Sequence, residues 1–269
     1  DATLCEAVRA VTPTMGLKNF AVVYDCDAEN REVHADGLRL RQIVTNLFAN
    51  AVRHTERGQV SVLAELRRTA PGNGQCRLIV EDTGAGIRPE RVATLFDPFV
   101  HAAQARQHGG HGLGLTIVKA LVDAMGGRIA VTSRLGEGTR FELNFDWPAR
   151  EGAAASSPAP GHAWLVYPEV YAPAAARFVP RLARMGWTAR ILGGVQAAVA
   201  ACDEVPAPDL MLVAGLVVEP GGAIEQLTRA FPRVRKALMS RLDWSKPTTE
   251  ERALEFGWTV GPVPVGLRD

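Results

Sequence analysis

The segment Glu81-Asp-Thr-Gly-Ala-Gly-Ile87 follows the apolar run Leu78-Ile-Val80, placing an acid where a strand should end. Downstream, a second glycine cluster, Gly109-Gly-His-Gly-Leu-Gly-Leu115, opens a run with Leu115, Val118, Leu121, Val122 and Met125 at helical spacing. Glycine reaches backbone conformations closed to other residues and lets main chain approach a ligand closely. Read singly, each cluster is equally a turn or a helix cap. Read together they suit two walls of one pocket. The acid can accept a hydrogen bond from an exocyclic amine, and the helix start leaves N–H groups for an anion. The second cluster is not a Walker loop, because no Gly-Lys-Ser/Thr follows it. Nor is it a dinucleotide fingerprint, because the preceding VHAAQARQH is polar loop rather than strand.

A third segment bears on the same question. In Arg39–Thr55, RLRQIVTNLFANAVRHT, a rotation of about 100° per residue puts Leu40, Ile43, Val44, Leu47 and Ala51 on one stripe. Asn46, Asn50 and Arg53 fall on another, spaced i, i+4, i+7. Asn is a poor helix former, and a solvated face is better served by Lys and Glu. An amide oxygen can ligate a hard cation such as Mg²⁺, and Arg can pair with phosphate. A polar helix edge with two incidental asparagines is the competing reading.

The remaining pattern around these segments is mixed. We expect helices at Ala2–Val11 (with Asp1 as cap), Asp36–His54 and Leu113–Met125. Strands are expected at Phe20–Tyr24, Gln59–Arg68, Gln75–Glu81, Arg128–Ser133 and Thr139–Phe145, the last two closing a hairpin. That is an α+β two-layer sandwich, one sheet layered with helices. Residues 148–162, PAREGAAASSPAPGH, read as a linker between two folded units, 1–147 and 163–269. The net charge of +1 gives no electrostatic case for nucleic acid or an anionic membrane. No apolar run reaches the roughly 18 to 20 residues of a spanning helix, and no secretory signal opens the chain. Cys5, Cys26, Cys76 and Cys202 lack metal-ligand spacing and read as thiols of a reducing cytosol. The expected location is therefore cytoplasmic, with the whole protein compatible with an inner-membrane anchor.

Four boxes stand in order: NLFANAVRHT, EDTGAGI, LFDPF and GGHGLGL, followed by Thr139 in GEGTRFEL. They resemble the N, G1, F and G2 boxes of the catalytic and ATP-binding domain of sensor histidine kinases, in the GHKL superfamily that includes gyrase and MutL ATPases. The resemblance covers essentially Asp1–Trp147 and implies the Bergerat fold, with ATP and Mg²⁺ as cofactors. It implies that Asn50 binds the Mg²⁺ with Asn46 nearby, that Arg53 contacts phosphate and that His54 packs by the sugar or base. Asp82 would take the adenine amine, with Gly84, Gly86 and Ile87 shaping that wall and Thr139 supporting it. Phe96 and Phe99 would anchor a lid over Val100–His111, and Gly110, Gly112, Leu113, Gly114 and Leu115 would cover the triphosphate. His101, His108 and His111 read as solvated lid residues.

Hydrolytic members of the superfamily place a glutamate four residues before the metal-binding asparagine. Here Asn46 stands there, an amide that cannot act as a base. The expected activity is thus protein-histidine kinase, with an ATP-sensing pseudokinase or a GHKL-type ATPase as alternatives. None of His34, His54, His101, His108, His111 or His162 is followed by an acid, as a phosphoacceptor histidine would be. The expectation is a fragment whose partners are its own dimerisation and phosphoacceptor hairpin, in a homodimer, and a response regulator or phosphotransfer protein.

From Ala163 strands and helices alternate. Strands are expected at Ala163–Tyr167, Thr188–Leu192, Leu210–Ala214, Ala237–Ser240 and Trp258–Val260, with helices between them such as Ala172–Met185 and Gly222–Ala230. This order resembles the α/β doubly wound, flavodoxin-like receiver domain of hybrid histidine kinases. The departures are chemical. Tyr167 and Pro168 stand where the acid pair belongs, Ala214 where the phosphoacceptor aspartate belongs, and Gly261 where the lysine belongs; only Ser240 keeps its hydroxyl. The resemblance therefore implies a pseudo-receiver, a regulatory or interaction module that cannot be phosphorylated.

Overall fold

The computed structural model describes residues 2–11, 19–27, 31–98, 113–151, 159–169, 172–176, 178–203, 207–214, 222–240 and 247–262. The chain divides into two compact units, Asp1–Ala154 and Ala155–Asp269.

The first unit contains α1 (Ala2–Val11), β1 (Asn19–Asp27), β2 (Arg31–Val33), α2 (Gly37–His54), β3 (Arg57–Ala70) and β4 (Asn73–Asp82). It continues through α3 (Pro89–Val92), α4 (Gly114–Ala124), β5 (Arg128–Arg134) and β6 (Gly138–Glu151). Its mixed sheet runs β1-β3-β4-β6-β2, with β5 also paired to β6. The β1–β3 pair is parallel and the other pairs are antiparallel. Strict alternation builds β6: Thr139, Phe141, Leu143, Phe145 and Trp147 are buried, whereas Glu142, Asp146 and their polar neighbours are not. Helix α2 answers with Ile43, Val44, Leu47, Phe48, Ala51 and Val52 buried. It packs on β3, β4, α1 and α4, so the helices form one layer over the sheet. Asp36 starts α2 by accepting a hydrogen bond from the Arg39 amide at 3.1 Å.

Two features differ from the sequence reading. β6 does not stop near Phe145 but runs through Pro148 to Glu151, so residues 148–151 are strand rather than linker. Proline is tolerated there because the ladder changes partner at that point. The Pro148 carbonyl accepts from the His34 amide at 3.0 Å, the Ala149 amide donates to the Gly72 carbonyl at 2.9 Å, and Ala149 pairs with Val33 of β2. Strand β2 itself, only three residues long, carries no periodicity to read. The Asp1 cap and the lid of residues 100–111 lie outside the described residues.

The second unit contains β7 (His162–Tyr167), α5 (Ala172–Ala176), α6 (Phe178–Arg184), β8 (Thr188–Gly193), α7 (Val195–Ala200), β9 (Leu210–Ala214), α8 (Ala223–Ala230), β10 (Arg235–Ser240), α9 (Pro247–Glu255) and β11 (Thr259–Pro262). Its five strands are all parallel, in the order β11-β10-β9-β7-β8. Burial is continuous along β7 and β9, as a parallel sheet covered on both faces requires. One face holds Trp164, Val166, Met211, Val213 and Leu238 with α7, α8 and α9; the other holds Leu165, Leu212 and Met239 with α5 and α6. Of the helix expected over Ala172–Met185, residues 172–176 and 178–184 are described and helical. Among the described residues no helix is long and apolar enough to cross a membrane.

On the first sheet's polar side Arg77 meets Glu142 through two bonds of 2.9 and 2.8 Å, and Arg140 bridges Glu142 and Glu81 at 3.2 and 3.3 Å. The Arg77 hydrogen bonds, more than any other cause, pull the Glu142 carboxyl down to about 2. A depressed carboxyl stabilises the fold above its ordinary pKa and loses that contribution as pH falls through the folded value. The gap in urea midpoint between the native protein and Arg77→Met should therefore be widest near neutrality. It should close as pH approaches about 2.

Candidate functional site

The N-terminal unit brings three glycine-bearing segments to one end of its sheet. Asp82, last residue of β4, lies opposite Thr139 on β6 and opposite Val60 on β3. Both Asp82 and Thr139 are 7% exposed. The Gly84 amide donates to Asp82 Oδ1 at 2.9 Å. Burial pushes the Asp82 carboxyl above its ordinary value, opposed by hydrogen bonds from the Gly84 and Thr139 amides, while Glu81 adds to the rise. Asp82 is thus a desolvated acceptor partly held by main chain.

Backbone contacts fix the loop after it. A Cβ on Gly84 would lie 2.2 Å from the His54 carbonyl oxygen, one on Gly86 1.9 Å from that of Arg134, and one on Gly138 1.9 Å from that of Asp82. Gly86 and Gly138 also have φ of +66° and +122°, conformations that favour glycine. The Ala85 amide donates to the His54 carbonyl at 3.1 Å, and the Gly136 amide donates to the Ala85 carbonyl at 2.8 Å. The loop is therefore clamped between the end of α2 and the β5–β6 turn. Thr55 caps that end of α2 from full burial, its hydroxyl donating to the Ala51 carbonyl at 2.8 Å.

The asparagine stripe lies along α2. Asn46 and Asn50 are half-buried, and Arg53 and His54 are exposed. The Asn46 side-chain nitrogen donates to the Gln42 carbonyl at 3.0 Å, with Oδ1 toward the start of α4. A Cβ on Gly114 would lie 3.4 Å from that oxygen, so α2 and the start of α4 meet at glycine distance. Leu113 precedes α4 and no side chain caps the helix there. Leu113, Gly114 and Leu115 are half-buried. Phe96 is half-buried beside buried Leu95; Phe99, Gly110 and Gly112 lie outside the described residues. Asn46, Gly84, Gly86, Ile87, Asp82, Gly114 and Thr139 are thus linked through α2, the loop and the closing hairpin.

Two residues absent from the sequence reading complete this edge. Ser133 Oγ accepts from the Ile87 amide at 2.8 Å, donates to the Gly138 carbonyl at 2.8 Å and lies 2.9 Å from Thr139 Oγ1. Thr83 Oγ1 accepts from the Gln59 amide at 2.8 Å, tying the loop to β3. Ser133 could have been found: the expected hairpin, drawn to its turn, pairs it with Thr139. Thr83 offered no such signal.

Residues 35–149 match the family described as histidine kinase-, DNA gyrase B-, and HSP90-like ATPase. This part of the chain is similar to that family. The chain is 43% identical over 122 residues to the sensor histidine kinase AruS of Pseudomonas aeruginosa, a match covering 45% of this chain and 12% of that protein. It is 41% identical over 125 residues to the autoinducer 2 sensor kinase/phosphatase LuxQ of Vibrio parahaemolyticus, covering 45% of this chain and 15% of that one. The chain thus matches only a small part of these relatives. Among solved structures, full-length ShkA in complex with AMPPNP matches with a TM-score of 0.71 and 26% identity, over 98% of this chain and 53% of that one.

In the second unit the strand ends carry Tyr167, Ala214 and Met239. The Tyr167 hydroxyl donates to Met239 Sδ at 3.5 Å, and its ring centroid lies 6.4 Å from that of Phe178. Tyr167, Ala214 and Met239 are all buried. Pro168 follows Tyr167, and Ser240 pairs with Pro262, next to Gly261.

The clamp makes a stability prediction. Gly138→Ala combines a positive φ with a backbone clash and should cost about 2 kcal/mol or more. Gly136→Ala, with φ +81° but nothing within 4 Å of the new Cβ, should cost about 1 kcal/mol. Denaturant unfolding of the two variants reads the difference.

Proposed function

We propose that residues 1–147 are the ATP·Mg²⁺-binding catalytic domain of a hybrid sensor histidine kinase and that residues 163–269 are its pseudo-receiver. The observation that carries the reading is the convergence around Asp82: a buried carboxylate held by main chain, clamped to the end of the helix that bears Asn46, Asn50 and Arg53. In this reading Asp82 accepts from the adenine amine, with Gly84, Gly86 and Ile87 as the wall. Arg53 and the backbone of Gly110–Leu115 neutralise phosphate charge, and His54 packs by the sugar or base.

Asn50 fits a hard cation through its amide oxygen. Among the described residues no cluster of three His, Cys, Asp or Glu could hold a metal, so phosphate oxygens and water would supply the remaining ligands. Bound there, Mg²⁺ would neutralise charge on the phosphates. The γ-phosphoryl group passes to a ring nitrogen of a histidine on a dimerisation hairpin: the new P–N bond forms as the β–γ bridging P–O bond breaks, leaving ADP. Asn46 offers no base to activate water, which favours transfer over hydrolysis.

Asp82→Asn should abolish magnesium-dependent ATP uptake in calorimetry. It should leave thermal stability unchanged or raised, because a buried acid with a raised pKa costs stability above that pKa. By the same sign, ATP affinity of the native protein should fall on acidification before an ordinary carboxylate would titrate. Full ATP affinity in Asp82→Asn would refute the site. Phosphohistidine on a separately supplied hairpin should depend on Asn50, whereas steady phosphate release without the hairpin would point to a hydrolase.

The pseudo-receiver reading rests on the parallel order β8-β7-β9-β10-β11 and on what stands at its strand ends. Ala214 has no oxygen to phosphorylate, and the hydroxyl of Tyr167 is spent on Met239. Acetyl phosphate should leave this unit unmodified, and a modified aspartate detected by mass spectrometry would contradict the assignment.

A further inference from the structure

We infer that Ser133 is a positioning residue that fixes the polarity of the base wall by making Thr139 an acceptor toward the pocket. The inference rests on reading the Asp82–Thr139 edge as the base-binding wall.

Ser133 Oγ has one hydrogen and two lone pairs. Three groups surround it at hydrogen-bond distance: the Ile87 amide at 2.8 Å, the Gly138 carbonyl at 2.8 Å and Thr139 Oγ1 at 2.9 Å. An amide can only donate and a carbonyl can only accept. The Ser133 hydrogen must therefore go to Gly138, since two oxygens 2.8 Å apart with no hydrogen between them repel. That leaves Thr139 as the donor in its contact with Ser133. With its proton committed to Ser133, the Thr139 hydroxyl presents only lone pairs elsewhere.

Asp82 lies directly opposite Thr139 in the ladder, and its ionised carboxylate is also an acceptor. Among the described residues, the Asp82–Thr139 edge therefore offers two side-chain acceptors side by side. It suits a base whose edge carries an amine with two N–H groups, and it rewards nothing on a base that lacks the amine. In Ser133→Ala the Thr139 hydroxyl loses its committed acceptor, rotates freely and can donate into the pocket. Discrimination for the amine should fall even though no residue facing the base has changed.

The test compares calorimetric affinities of the full chain for ATP and for purine riboside triphosphate, the analogue without the 6-amine, in the presence of Mg²⁺. Ser133→Ala should lower the ratio of ATP to analogue affinity about tenfold, the scale of one hydrogen bond made or left unmade. Ser133→Thr, which keeps the hydroxyl, should retain the native ratio. Simple loosening of the loop would weaken both ligands alike; an unchanged ratio in Ser133→Ala overturns the inference. If Ser133→Ala does not fold, Thr139→Val removes the acceptor at nearly constant shape and must lower the ratio, and an unchanged ratio there is equally fatal. Failure of the native protein to bind either nucleotide would instead sink the nucleotide site itself, an outcome distinct from an unchanged ratio.

Discussion

Main chain packed directly on main chain around Asp82 is the constraint from which the rest of the N-terminal unit follows. Gly84 sits against the His54 carbonyl, Gly86 against that of Arg134 and Gly138 against that of Asp82, each closer than any side chain allows. Side chains adjust by rotation, but a carbonyl wedged against a glycine α-carbon has nowhere to go. The end of α2, the loop after β4 and the β5–β6 turn consequently share one rigid frame. The asparagines of α2 inherit their position relative to Asp82 from that frame rather than from contacts of their own.

The frame holds a carboxylate that burial disfavours. Desolvation lifts the Asp82 pKa, and two backbone amides return part of the cost. Nothing in the packing of the sheet requires an acid there, since its inward neighbours along β4, Leu78 and Val80, are apolar. A desolvated carboxylate in an otherwise apolar stretch of strand is the feature on which the proposed base site rests.

Much of this was legible in the chain because glycine and alternation leave strong marks. The strip Leu78–Asp82, the period of α2 and the hairpin of β5 and β6 each carry local signals, and the structure forms β4, α2 and β5 within a few residues of the expected bounds while carrying β6 on to Glu151. The second unit was readable for a different reason: runs such as LMLVA are buried on both faces and show no alternation. What escaped reading depends on partners distant in sequence. β2 is a strand only because β6 continues to meet it, and Pro148 masked that continuation by looking like a breaker. The role of Ser133 lies in three simultaneous distances, which no spacing rule encodes. The roles proposed for Asn50 and Arg53 rest on the four ordered boxes alone, since their half-buried and exposed positions on α2 are those of any amphipathic helix edge.

The three pairs joining β2 to the end of β6 have a mechanical consequence. Arg31, Glu32 and Val33 lie opposite Glu151, Arg150 and Ala149, and Asp36, the cap of α2, follows only a few residues later. Tension on the chain leaving the sheet at Glu151 loads these few ladder bonds first, and they are anchored at their other side to the root of the asparagine-bearing helix. The exit of the strand and the start of that helix therefore lie on one load path, with the stiff, two-sided pairing of β4 and β6 behind it as the abutment.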